Sequence, residues 1–174
     1  KPYVNKLAAL SLNMLGASSF LWNIKHNVIH HSFTNVDDHD DDILNEPFFR
    51  MTKNQPKLSA HKYQHLYFPL AYGLMYMSWV FFLDFKKYFQ RRIADRGDIK
   101  LTLSQHIGFW ITKLSYIFLF VVLPLQFYSL PAYLLGYFIY SFTTGLTTSV
   151  VFQLAHTVEE TEFLLLFTFL VLTE

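Results

Sequence analysis

Cysteine is absent from the 174 residues. That excludes disulfides, thiolate zinc sites and iron–sulfur ligation, and it leaves the redox compartment unread. Charge is scarce: Asp, Glu, Lys and Arg make up 16% of the chain, against about 25% in an ordinary soluble domain. The net charge is only +1, so the chain as a whole gives no case for a nucleic acid partner. The start, Lys1-Pro2-Tyr3-Val4-Asn5-Lys6, lacks the long apolar core and small-residue cleavage site of a signal peptide. There is no initiator Met, so the chain is expected to begin inside a longer protein. No repeat at a fixed period is visible. What abounds is apolar and aromatic: 52% of residues are hydrophobic, 19% are aromatic, and Phe (19) and Tyr (11) dominate the rings. Mean hydropathy is +0.23. This composition suits a chain that meets both lipid and the headgroup belt. The expected fold class is therefore all-α, an integral membrane helical domain.

Against that background one polar stretch stands out. Trp22-Asn23-Ile24-Lys25-His26-Asn27-Val28-Ile29-His30-His31-Ser32-Phe33-Thr34-Asn35 is followed by Asp37-Asp38-His39-Asp40-Asp41-Asp42. On a helix His26 and His30 share a face. His31 lies about 100° further round. A cluster splayed in this way suits two neighbouring metal ions better than one. Neutral imidazole is a good ligand for iron, zinc or copper. The bland alternative is a surface helix that happens to be rich in His. In a membrane protein, however, ionisable clusters are costly and usually functional.

The rest of the chain can be placed around this cluster. Leu7 to Trp22 is apolar but broken by Ser11, Asn13, Gly16, Ser18 and Ser19. It falls about a turn short of the roughly 20 residues a span needs, and reads as a helix lying at the membrane surface and running into the histidines. Ile43 to His65 is polar. Ile107–Phe127 and Leu130–Leu154 are the best spanning candidates, a transmembrane hairpin joined at Ser129-Leu130-Pro131. The basic segments around residues 50–62 and 86–100 both favour the cytoplasmic side. They flank Tyr67–Leu83, which is therefore expected to lie in the interface or to dip in and return. The hairpin then brings Gln153-Leu154-Ala155-His156-Thr157-Val158-Glu159-Glu160 to the side that carries His26, His30 and His31. His156 reads equally as a metal ligand oriented by a carboxylate or as an interfacial cap on a helix C-terminus. His61 and His65 are spaced for a metal pair, but sit among Lys57 and Lys62 and read better as a basic interfacial helix. His39 and His106 are isolated.

Lys25 to Asn35 with Asp40-Asp41-Asp42-Ile43 resembles the second histidine box, HxxxHH, of the membrane fatty acid desaturases. The resemblance is strongest to the bacterial acyl-CoA (linoleoyl-type) branch. Tyr63-Gln64-His65-Leu66-Tyr67 and Phe152-Gln153-Leu154-Ala155-His156-Thr157-Val158-Glu159-Glu160 also resemble stretches of that branch, and the likeness runs from residue 1 to about residue 163. HxxxHH alone is shared with hydroxylases of the same superfamily. The Thr-Asn and Asp-rich continuation and the FQLAH stretch narrow it.

The resemblance implies a helical membrane domain with two iron ions held by histidines from three boxes on the cytoplasmic face. It implies electrons from a cytochrome b5 or ferredoxin-type donor, dioxygen, and a fatty acyl-CoA or acyl-lipid substrate that leaves with a cis double bond. A redox metal is chemically required, because no side-chain acid or base breaks an unactivated C–H bond. By the same resemblance His26, His30, His31 and His156 are ligands, and Asp40, Asp42, Glu159 and Glu160 orient them. A solvated loop is the alternative for any one of the acidic residues.

The departures matter too. The first box (HxxxH) and the third (HxxHH or QxxHH) are missing from residues 1–174, which form a single partial desaturase domain. Phe163 to Leu172 is an atypical apolar tail, and a premature end or a shifted reading frame would explain it. Four candidate ligands remain where a two-iron centre needs roughly twice that number at six-fold coordination. The isolated chain is thus expected to lack a working centre; stoichiometric iron and turnover from it would overturn that. Two further functions stay open: a related di-iron lipid or carotenoid hydroxylase or ketolase, and a non-catalytic membrane protein whose His cluster is a relic.

Overall fold

The computed structural model describes residues 2–43, 48–94 and 96–156. Among these the chain is helix and turn, without a β-strand. Five helices organise it: α1 (Pro2–Met14), α2 (Ser19–Ser32), α3 (Ser59–Gln90) and α4 (Leu103–Gln126), and α5 (Leu130–His156). Three of them, α3, α4 and α5, are long and apolar enough to cross a membrane. The all-α membrane expectation is met. The atypical tail, residues 163–174, lies outside the described residues.

Two expectations about the path change. The surface helix expected over Leu7–Trp22 is broken at Gly16, which turns left-handed at φ 78°. A Cβ there would sit 2.6 Å from the Tyr116 ring and 3.0 Å from Val80, so only glycine fits both the backbone and the space. Ser18 then caps α2, its side chain accepting from the Leu21 amide. The second change concerns Tyr67–Leu83, expected to lie in the interface or to dip and return. It is instead the middle of α3, one helix of 32 residues. Pro69 sits near its start and does not break it. The basic flanks that argued for a return lie at opposite ends of this helix. The helix is continuous, so it does not dip and return, and it is long and apolar enough to cross a membrane.

α5 packs on α3 more extensively than on any other element. Phe142 and Gly145 meet Gly73, Tyr140 meets Tyr76, and Tyr137 meets Phe81, so the two helices run antiparallel. α4 also runs antiparallel to α3, with His106 at Tyr88, Phe109 at Phe85 and Tyr116 at Tyr76. α4 and α5 follow one another in sequence and meet where Tyr116 and Phe120 touch Tyr133, Tyr137 and Tyr140. A chain of hydroxyls ties the three spans: Tyr76 Oη lies 3.0 Å from Tyr116 Oη and 3.3 Å from Tyr140 Oη, and Tyr116 Oη lies 2.9 Å from Tyr137 Oη. In lipid such groups need internal partners, and here they find one another. Phe118, Leu119, Leu134, Leu135, Phe138 and Ile139 face outward, as lipid-facing positions should.

The α3–α5 crossing is set by glycine. A Cβ on Gly145 would stand 2.5 Å from the Gly73 carbonyl oxygen and 2.8 Å from that of Tyr72. Both are backbone atoms, so a side chain can be seated only by moving the helices apart. Gly145→Val is expected to cost about 1–3 kcal/mol through this overpacking, read as a lower thermal midpoint of the chain in detergent micelles. An unchanged midpoint would show that the crossing is looser than its glycines indicate.

Candidate functional site

The histidine cluster is shaped by an irregularity that spacing does not reveal. From Asn23 to Ile29, α2 widens into a π-turn. A wider turn carries residues four and five apart to the same side, and such turns are frequent at functional sites. His26 therefore stacks on His30, with centroids 4.9 Å apart and planes at 10°. It also meets His31 edge-on at 5.0 Å. Trp22, one turn earlier, stacks on the other face of the column at 4.6 Å from His26. The three rings are closer to one side than the regular helix expected from spacing would place them.

The acidic run folds back onto these rings. Asn35 and Asp38 take left-handed backbone, φ 60° and 66°, a conformation Asn and Asp tolerate better than other side-chain-bearing residues. The turns they make bring Asp40 under His30. Asp40, fully buried, is a node: Oδ2 accepts from His30 Nδ1 at 2.9 Å and from the Asn35 amide at 2.9 Å, while Oδ1 accepts from the Asp42 amide at 2.9 Å. Asp42 Oδ2 lies 3.1 Å from His26 Nδ1 and 3.3 Å from His30 Nδ1. A carboxylate only accepts, so each imidazole must carry its proton on Nδ1. Nε2 then holds the lone pair. This is the tautomer that a carboxylate behind a metal-binding His enforces.

Charge is balanced locally. Lys25 Nζ sits 2.7 Å from Asp42 and 3.6 Å from Asp41, and Asp41 also pairs with Lys87 of α3. Burial pulls the Lys25 ammonium down, but Asp42 and Asp41 together hold it above its ordinary range. Burial pushes Asp42 up, yet Lys25 outweighs it and keeps the carboxylate well below the usual range. Burial lowers the His26 pKa, so that ring is neutral at pH 7. The hydrogen bond to Asp40 raises that of His30.

The donor atoms of His26, His30 and Asp42 lie within 4.8 Å of one another, and no other group of three or more potential ligands converges among the described residues. Imidazole with carboxylate suits iron, zinc or manganese. Asn35 Oδ1, on the same turn, is a buried acceptor without a partner among the described residues. With Nδ1 of both rings donating to the carboxylates, Nε2 of His26 and of His30 is left for a metal; these two donors fit the wall of a metal site and are fewer than two metals need. The His156 side chain, Glu159 and Glu160 lie outside the described residues. The backbone of α5 nevertheless extends to His156, and Phe152, one turn earlier, has its ring 6.3 Å from His26. His61 and His65 are not part of the cluster. His61 is buried and its Nδ1 accepts from the Leu58 amide, while His65 is exposed.

Beside the cluster lies a cavity of about 950 Å³, lined by His26 and His30, by α3 from Tyr67 to Gln90 and by α5 from Gly145 to Phe152. That volume is at the upper end of the range for ligand pockets. Several contributors were not singled out from the sequence. Trp22 could have been, since it stands four residues before His26. Lys113 could have been too, as the lone charge in an otherwise apolar span. Its Nζ is 2.8 Å from Asp84. The pairing of Lys25 with Asp42 and of Lys87 with Asp41 depends on the fold and had no local signal.

Comparison with known proteins now gives the geometry a family. The family model described as fatty acid desaturase matches residues 1–170. An acyl-lipid (8-3)-desaturase of Physcomitrium patens is 38% identical over 157 residues, covering 88% of this chain and 33% of the relative. An sn-1 linoleoyl-lipid 6-desaturase of Synechocystis sp. is 30% identical over 169 residues, covering 94% of this chain and 46% of the relative. A probable Delta(5) fatty acid desaturase C of Dictyostelium discoideum is 35% identical over 147 residues, or 83% and 32% respectively. The chain thus spans between a third and just under half the length of these curated relatives. No solved structure matches it. A match over nearly the whole chain, with the histidine column inside it, establishes that the chain belongs to the fatty acid desaturase family.

Proposed function

We propose that these residues are the histidine-box and acyl-groove portion of an enzyme that inserts a cis double bond into a fatty acyl chain. The observation that carries this reading is the column of His26, His30 and His31, with Nδ1 of His26 and His30 held by Asp42 and Asp40, on the wall of a cavity of about 950 Å³ that α3 and α5 line with apolar side chains. His26, His30 and His31, joined by His156, would hold two iron ions together with ligands beyond this set, and Glu159 and Glu160 would orient the last of them. Bound iron would supply, with dioxygen and electrons from a cytochrome b5 or ferredoxin-type donor, the redox chemistry that an unactivated C–H bond demands. The chain's own residues do the rest. Asp40 and Asp42 fix the ring tautomers, Lys25 keeps Asp42 ionised, and α3 and α5 shelter the acyl chain from water. The cytoplasmic face is the side that fits: Asp41 pairs with Lys87 beside the basic residues Lys86, Arg91, Arg92 and Arg96, which favour the cytoplasm.

The test is a graft. Residues 1–170 replace the matching segment of the Synechocystis sp. 6-desaturase, and the acyl lipids of the host are analysed. A new, dioxygen-dependent alkene supports the reading. A hydroxylated lipid would move the chain to the hydroxylases. A folded, inserted graft without any product would favour a non-catalytic membrane protein.

A further inference from the structure

His26 and His30 are held differently. His30 is pinned by its edge: Nδ1 meets the buried Asp40 at 2.9 Å, and Asp40 is itself fixed by the Asn35 and Asp42 amides. The acceptor of His26 is less dedicated. Asp42 Oδ2 lies 3.1 Å from His26 Nδ1 but also 3.3 Å from His30 Nδ1, and Oδ1 of the same carboxylate lies 2.7 Å from Lys25 Nζ. His26 and Asp42 are both partly exposed. An edge contact shared in this way leaves an imidazole room to swing about its Cβ–Cγ bond, a torsion that is broad where nothing crowds it. The faces of the His26 ring supply what its edge lacks. Trp22 stands on one face, with centroids 4.6 Å apart and planes at 23°, and His30 on the other, at 4.9 Å and 10°. A ring turning about Cβ–Cγ must drive its edges into both neighbours. His30 does not yield, because Asp40 holds it. Trp22 is fixed by its own turn: Leu21 beside it is buried with Ile29, Ile93 and Phe109, Ser18 caps the start of that turn, and the wide turn from Asn23 brings the four-residue steps 22, 26 and 30 into one column.

We propose that Trp22 is a positioning residue for the metal site: it acts through His26, keeping that ring in register with His30, and does for His26 by stacking what Asp40 does for His30 by hydrogen bonding. Nδ1 of both rings reaches the same Asp42 oxygen. With the two rings nearly parallel, both Nε2 atoms therefore leave the stack on the side away from that oxygen, where one site can use them together. A His26 ring that swings loses this register. The role rests on the reading of the histidine column as a metal site; the stack itself does not.

The test uses residues 1–170 grafted into the Synechocystis sp. 6-desaturase. The metal-free graft is titrated with Co2+, whose visible absorption reports both binding and ligand geometry. Trp22→Leu keeps apolar bulk but removes the flat face, and is expected to weaken Co2+ binding by about two- to tenfold, the worth of one aromatic pair. Trp22→Phe restores a ring and should restore the affinity and the spectrum. The deciding variant is a pair. Because Trp22 acts through His26, adding Trp22→Leu to His26→Ala should cost nothing beyond His26→Ala alone. A further loss in the double variant overturns the proposal, as does a Trp22→Leu graft that binds Co2+ like the unaltered one; Trp22 is then only a wall of the cavity. Thermal midpoints of the metal-free grafts guard against a folding effect. Weakened binding that follows a lowered midpoint in both the Leu and the Phe variants would make Trp22 a packing residue and overturn the proposal too. If His26→Ala itself leaves Co2+ affinity unchanged, His26 is no ligand, and the metal reading of the column falls together with the role of Trp22.

Discussion

Lys113→Met is expected to destabilise the chain by about 3–5 kcal/mol, because it strands a buried carboxylate. Lys113 is almost fully buried, at 2% exposure. Its ammonium spends all three donors, on the Gly16 carbonyl at 2.7 Å, the Val80 carbonyl at 2.8 Å and Asp84 Oδ2 at 2.8 Å. Asp84 is equally saturated. Its Oδ2 also takes the Ser18 amide at 2.7 Å, and its Oδ1 takes Trp79 Nε1 at 3.0 Å. The pair therefore locks the corner between α1 and α2 onto α3 and α4. An ionisable residue within a span is by default a functional candidate, but a pair with every donor and acceptor used has the character of a staple. The discriminating measurement is a cycle. Thermal midpoints in detergent are compared for Lys113→Met, Asp84→Leu and the double variant. The double should recover most of the loss, since it removes both charges together. At 2–4 °C per kcal/mol for a chain of this size, the single substitution should lower the midpoint by about 10 °C. A double variant no better than the singles would show that the two residues do not act on one another.

What could be read beforehand follows from how local each signal is. His26, His30 and His31 were legible because ligand chemistry and spacing lie within six positions. The membrane class was legible because it is a property of summed composition. Asp40 and Asp42 could be named as orienting residues, but not which ring each would hold, since that depends on left-handed turns at Asn35 and Asp38. The π-turn was invisible: nothing in Asn23-Ile24-Lys25-His26-Asn27-Val28-Ile29 separates it from a regular helix. That Tyr67–Leu83 continues without a break into both flanks as one helix was not legible from two weak charge preferences, which had suggested a segment in the interface or one that dips and returns. The Gly73–Gly145 crossing and the Gly16 corner are long-range facts, and each glycine is defined by a neighbour more than sixty residues away in sequence.

Asp40→Asn is expected to weaken metal binding by about 10–100-fold, and His30→Ala to abolish product in the grafted enzyme while membrane insertion continues. The asparagine is nearly isosteric, so its effect isolates the proton logic of the site. Asp40 receives three donors, from His30 Nδ1, the Asn35 amide and the Asp42 amide. An amide has one accepting oxygen and one donating nitrogen. If the nitrogen faces His30, Nδ1 must accept, the proton moves to Nε2, and the ring can no longer ligate through it. If the nitrogen faces Asp42, two N–H groups are opposed in a buried site. Either orientation leaves a donor unmet and lets the His30 ring turn. Asp41→Asn is the control, because Asp41 contacts Lys25 and Lys87 and neither imidazole. Iron per grafted chain and the pH dependence of iron retention give the readout. With Asp40 in place the His30 pKa is raised above 6.5, so acidification should release metal as protons occupy that ring. Unchanged affinity in Asp40→Asn would remove Asp40 from the site.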